Sequence, residues 1–244
     1  MWNSGRSPVV LPFEKHEDLG ATHMGNTITL AEEIMLLSLD DESGVVRQRQ
    51  SVAPALAGAI LLELVLAERV SISGKHLELR STEPTGEPLL DGRLRLIETW
   101  MRGLGRRRVT DWLTKDYMKA TGPVLERLGE RGLVAEQVRK VLGVFPQRRY
   151  PEVDGTVERA LRERLAVAVI GCAPPDDRTA GIIALLHGAK LHRLAFPGHN
   201  PAAVKPRMAE IAGGQWAADG VQAAIRDMQA AMVVMMTATV VAVS

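Results

Sequence analysis

A single cysteine, Cys172, in 244 residues excludes an internal disulfide and any cysteine-rich metal site. Aromatic side chains make up only 4% of the chain, too few for a surface that stacks on nucleobases. Neither sign of charge is in excess. Thirty Lys and Arg stand against twenty-nine Asp and Glu, a formal net charge of +1, so a polyanion-binding surface has to come from local asymmetry. Long apolar runs are also missing. The last one, Ala230 to Val243, falls well short of the roughly 20 residues of a bilayer span and is read as a helix buried on all sides. Residues 1–27 contain no apolar stretch of signal-peptide length and mix Pro, Gly, Asn, His and charges. A flexible tail is expected there, with ordered patterning beginning after Met24.

What is present is average for a soluble globular chain: 46% hydrophobic and 24% charged residues, ample for a core. Thr29 and Glu32 form a capping box ahead of helical spacing at Leu30, Ile34 and Leu37, and Asp40 to Gly44 reads as a turn. Val45 to Gln50 reads as a short strand and Ser51 as the cap of a second, nearly all-apolar helix that is expected to be central. Alternation on both sides of Gly74 predicts a β-hairpin over Val70 to Leu79. Pro88 starts a helix to about Met101, which Gly103 and Gly105 break. Thr110 starts another, which Gly122-Pro123 is expected to interrupt. A second hairpin is predicted over Leu133 to Phe145, tipped near Glu136-Gln137. Helices over Thr156 to Ile170, from Asp176 to Leu191, and two or three more complete a mainly α architecture.

Catalytic patterns are weak. His187 and His192 fall on different sides of one predicted helix, and no acidic or cysteine ligand pairs with them or with His199. Asp40-Asp41-Glu42 lacks the ligand spacing of a calcium loop, and Gly103-Leu104-Gly105 runs into arginines rather than a nucleotide-loop pattern. No enzyme activity, cofactor or metal is expected. The charge asymmetry is more informative. Residues 93–119 carry eight basic side chains against three acidic ones, with Arg106-Arg107-Arg108 in a predicted exposed loop. Arg139, Lys140, Arg148 and Arg149 form a second cluster. Each basic group near an anionic bilayer contributes on the order of 1 kcal/mol.

The chain resembles the Golgi phosphoprotein 3 family, in its bacterial branch. The resemblance rests on Leu30-Ala31-Glu32-Glu33-Ile34 through Gly44, on Leu56-Ala57-Gly58-Ala59-Ile60-Leu61-Leu62-Glu63-Leu64, and on Pro84-Thr85-Gly86-Glu87-Pro88. It continues in Glu130-Arg131-Gly132-Leu133 and in Asp177-Arg178-Thr179-Ala180, in family order. It implies one helical domain, 28–244, around a buried hydrophobic helix, with two small hairpins. It also implies a cytoplasmic adaptor, peripheral at the inner face of a membrane, that binds phosphatidylinositol phosphate or other anionic lipid and a protein partner.

The family's lipid pocket uses a tryptophan and three arginines. Those positions fall here on Gln48, Ala57, Met118 and Thr121, so none of the four side chains is kept. Arg47, Arg49, Lys115 and Lys119 surround the same places and, with Arg106, Arg107 and Arg108, are the candidate anion-binding residues. The family also implies self-association through the first hairpin, here a weak homo-oligomer using the apolar positions Val70, Ile72, Leu77 and Leu79. A competing reading is a winged-helix DNA-binding regulator, since a helix precedes each hairpin. The helix over Leu56 to Leu66 carries no basic residue and the second unit only Arg127 and Arg131, so nucleic acid is not the favoured partner.

Overall fold

Thr29 and Glu32 close the predicted capping box. The Thr29 hydroxyl accepts the Glu32 amide at 3.1 Å, and the Glu32 carboxylate accepts the Thr29 amide at 2.6 Å. They start α1 (Leu30–Ser38), every residue of which is buried. The computed structural model describes residues 28–141, 145–214 and 219–241, so the expected tail over 1–27 lies outside them. Among the described residues the chain is mainly helical, with two small antiparallel sheets.

The turn after α1 is closed by Asp40, whose carboxylate accepts the amide and the hydroxyl of Ser43. The strand expected over Val45 to Gln50 does not form. Val46 makes one bridge to Leu39, and α2 (Arg49–Leu66) begins at once, capped by Gln48 in the left-handed region at φ 47. The tight Asp40 turn brings the chain straight into the helix, so Arg47 and Arg49 do not alternate on a strand and Ser51 is already inside α2.

The first hairpin forms as read, β1 (Val70–Ser73) pairing with β2 (His76–Leu79) in the register Val70 to Leu79 and Ile72 to Leu77. After α3 (Pro88–Met101), Arg107 and Arg108 are not free loop residues. They form β3 (Arg107–Arg108), which pairs with His76 and Leu77 and makes the sheet three-stranded.

The next helix, α4 (Val109–Glu130), runs through Pro123 without the expected interruption. Proline has no N–H for the carbonyl four residues before it. That carbonyl, on Lys119, accepts the Arg93 Nη2 of α3 at 2.5 Å instead, while Arg93 Nε lies 3.3 Å from Asp116. A side chain from the neighbouring helix supplies the donor that the proline removes.

The second hairpin is shifted from its predicted place. β4 (Gln137–Val141) pairs with β5 (Phe145–Arg149), so the chain reverses between Val141 and Phe145 and not at Glu136-Gln137. The chain ends in α5 (Thr156–Val169), α6 (Asp177–Gly188), α7 (His192–Ala195), α8 (Pro201–Gly213) and α9 (Asp219–Val241).

By length and composition α2 would suffice to cross a membrane, yet 72% of it is buried inside the protein. It packs on α1, α3, α4, α6, α9 and β1. Small residues permit that density. A Cβ on Gly181 would stand 2.8 Å from the Leu62 Cδ2 of α2, so α6 approaches α2 closely at this glycine. The expectation that the C-terminal run is buried on all sides fails. Ala231 and Met232 are buried, but Val233 is 47% and Val234 57% exposed, because α9 lies over the outside of α2, α4, α6 and β1. This placement also settles the apolar face of the first hairpin. Val70, Ile72 and Leu77 are buried within the chain and Leu79 is half-buried, with α9 against β1. Val70, Ile72 and Leu77 are thus covered within the chain itself.

Candidate functional site

Burial and pairing divide the arginines into two populations. One is structural. On one flank of α1, Glu87 accepts Arg127 Nε at 2.7 Å and Arg131 Nη2 at 2.7 Å, and Arg131 Nε lies 2.9 Å from Glu32. On the other flank Glu33 pairs with Arg164 at 2.8 Å, and Arg178 bridges Glu63 at 2.8 Å and Glu33 at 3.5 Å. All four glutamates are buried. The guanidinium fork lets one arginine serve two carboxylates, which a lysine could not do in the same geometry. Arg127 and Arg131, the basic residues a winged helix would offer to DNA, are committed to this network, and the helix before the first hairpin is core. Neither arginine is therefore turned outward as a winged helix would need.

Glu63 is the least comfortable member. One oxygen meets Arg178, while Oε2 is buried without a hydrogen-bond partner. Burial outweighs the attraction of Arg178 and pushes its carboxyl up to about 7, from an ordinary 4.5. The folded protein thus holds this proton across a range in which the unfolded chain has lost it. Its contribution is greatest below about 4.5 and is lost as pH rises to about 7. Glu152, crowded by its own burial and by Glu158, is also raised to about 7 and acts in the same direction. Glu63→Gln is expected to reduce the fall in stability between pH 5 and pH 8 by on the order of 3 kcal/mol at most. Chemical unfolding of both proteins at the two pH values measures it, and parallel profiles would show that Glu63 is ionised throughout.

The other population is exposed. Arg47, Gln48 and Arg49 stand in the open at the start of α2, and Arg47 helps the Ser43 hydrogen bonds hold the Asp40 carboxyl below its usual value. Lys115 and Lys119 are exposed on α4, on either side of Met118, itself 76% exposed. Arg106 and Arg108 are exposed, and Arg108 is held by the backbone pairing of β3 with β2. Arg107 differs. It stacks on Trp100, 4.6 Å from the ring centroid, and its Nε is buried, so it serves packing. α2 and α4 pack against each other. Of the family pocket positions, Ala57 is fully buried in α2 and cannot face a ligand from there.

In the second cluster, Arg148 pairs with Glu136 at 3.3 Å and Arg149 with Gln147, while the side chains of Arg139 and Lys140 lie outside the described residues. Cys172 is exposed in the link after α5. Among the described residues no group of three or more His, Cys, Asp or Glu is arranged to hold a metal ion. His187 and His192 do not share a helix. α6 ends at Gly188, and the turn at Lys190 brings the two rings to one cavity.

Sequence reasoning missed the ion network, although the signal was present. Glu32, Glu33, Glu63, Glu87, Arg131 and Arg178 all stand in the motifs that carry the family resemblance, and charged residues inside apolar motifs are the mark of buried pairs. Curated relatives that match the chain include two fungal proteins. Vacuolar protein sorting-associated protein 74 of Eremothecium gossypii is 27% identical over 169 residues, 59% of this chain and 50% of the relative. The protein of the same name in Schizosaccharomyces pombe is 27% identical over 163 residues, 57% of this chain and 47% of the relative. The chain thus matches about half the length of these relatives. The family description Golgi phosphoprotein 3 (GPP34) matches residues 30–228, from the first residue of α1 to the middle of α9 and across the whole ion network. The chain belongs to the Golgi phosphoprotein 3 family.

Proposed function

We propose that this chain is a non-enzymatic peripheral membrane adaptor, its residues 28–244 acting as one domain at a cytoplasmic membrane face. It docks weakly on anionic lipid and holds a protein partner more specifically. One observation carries the lipid reading: exposed apolar residues stand between exposed cations at two places. Met118 lies between Lys115 and Lys119, and Leu104, 49% exposed, lies between Arg102 and Arg106. An apolar tip that enters the headgroup layer beside cations that meet lipid phosphate suits an interface. Family membership supports the adaptor class. The missing tryptophan and arginines favour charge-driven docking over recognition of phosphatidylinositol 4-phosphate. Self-association through the first hairpin would use β1, an outer strand of its sheet.

Vesicle flotation tests the reading. Binding to phosphatidylserine vesicles is expected to weaken about tenfold between 50 and 250 mM salt, with no marked preference for phosphatidylinositol 4-phosphate. Lys115→Glu with Lys119→Glu, or Arg106→Glu with Arg108→Glu, is expected to weaken it several-fold. Binding that ignores salt and these changes, or that selects the one lipid, rejects it.

A further inference from the structure

Apart from that surface, a cavity of about 530 Å³ opens where the end of α6, α7, α8 and α9 meet. His187 reaches it from α6, Lys190 from the turn, His192 from α7, Lys205 from α8 and Arg226 from α9. Four helices and a turn therefore direct a cationic or protonatable group to one place, and no acidic residue lines it among the described residues. None of the five has a carboxylate partner among the described residues, in contrast to the paired arginines around α1. The volume lies within the range of small-ligand sites. Ala230 and Val233 add an apolar wall, and Gln229 is held in place by donating from Nε2 to the Ala184 carbonyl at 2.7 Å.

Two features are unfavourable in the protein alone. Lys190 occupies the left-handed region at φ 60, the position after a helix that glycine takes most readily. Its amide bonds the His187 carbonyl at 3.0 Å and the Leu191 amide bonds the Leu186 carbonyl at 2.8 Å, so the cap is well formed and a lysine is strained into it. The cations also repel one another. Burial first, and then Lys205, depresses the protonation of both His187 and His192, and Arg193 adds to this at His192. Uncompensated like charges converging on a cavity are relieved by an anion in it.

We propose that this cavity binds a phosphate monoester carrying an organic body, with Lys190, Lys205 and Arg226 on the phosphate and the Val233 wall against the body. The same chemistry is offered by a soluble phosphorylated metabolite and by a phospholipid head group. The site is separate from the Lys115, Lys119 and Arg106 surface, and it stands or falls independently of the lipid docking proposed above.

Two arms decide it. In the first, glycerol 3-phosphate is titrated into the full chain by calorimetry, and His187 and His192 are followed by NMR. In the second, vesicles of phosphatidylcholine with phosphatidic acid are floated with the protein. Binding in at least one arm is expected, weakened at least about tenfold by Lys205→Gln with Arg226→Gln, and the vesicle arm is read as that difference, because anionic lipid is also met by the Lys115 and Lys119 surface. A bound phosphate is also expected to raise both histidine titrations. Response in the first arm alone names a soluble ligand, and response in the second alone names a lipid. Lys190→Gly keeps the turn and removes one charge, so it is expected to weaken binding while raising the melting temperature, which separates lost contact from lost fold. Binding in neither arm, or binding indifferent to the Lys205 and Arg226 changes, overturns the proposal.

Discussion

Glu87→Ala is expected to cost about 3–5 kcal/mol, a large share of the stability of any domain. Glu87 is 2% exposed and is the acceptor on which two helices converge, α3 through its own N-cap and α4 through Arg127 and Arg131. Removing it strips the cap that holds the Leu89 amide and leaves two guanidinium groups with half their compensation in a place water does not reach well. Glu130→Ala is the control. It removes another carboxylate from the same Arg127, but one that is mostly in solvent, and is expected to change stability by less than about 1 kcal/mol. Urea unfolding of both variants measures the contrast. Equal, small losses would show that the α1 network is hydrated and contributes no more than a surface pair.

Gly44→Ala is expected to destabilise by about 2–4 kcal/mol, for reasons that have nothing to do with charge. At φ +62 the residue sits where a side chain is disfavoured, and a Cβ there would lie 2.3 Å from the Pro151 nitrogen and 2.5 Å from the Tyr150 carbonyl carbon. Both neighbours are backbone and cannot rotate away. The contact is also functional for the fold, since the Tyr150 amide donates to the Gly44 carbonyl at 2.7 Å and ties the end of the second hairpin to the turn after α1. A thermal melt compares it with Gly74→Ala, which has an equally positive φ but open space around it. If the two lose the same amount, conformation alone matters and the close approach does not.

Local rules carried the sequence reading a long way. The Thr29 box, the hairpin around Gly74, Pro88 at the head of α3 and the Asp176 cap of α6 are each decided within a few residues, and each stands where the sequence puts it. Failures occurred where a distant residue overrode a local signal. Pro123 reads as a break because the donor that mends it lies thirty residues earlier in the chain, on Arg93. Arg107 reads as an open loop residue because neither β2 nor Trp100 is visible from its neighbours in sequence. Val234 reads as core because apolar composition does not say which side of a helix meets a neighbour. The basic candidates at Arg106, Arg108, Lys115 and Lys119 were legible as charges and are exposed, while the cavity at His187 was not, because α7, α8 and α9 are brought to it only by the tertiary packing.

The Arg93 contact with the Lys119 carbonyl has a bearing on motion as well. A helix with a proline in its middle ordinarily has a soft point, where one half can open while the other stays closed. Here the soft point is clamped from α3, so the second half of α4 opens only when α3 has let go. Backbone amides of α4 beyond Pro123 and those of the middle of α3 should then exchange with solvent at a common rate, as one cooperative unit. Arg127 and Arg131 lie on or just beyond that half of α4, so the ions around α1 are held in register by a helix whose continuity is supplied from outside itself.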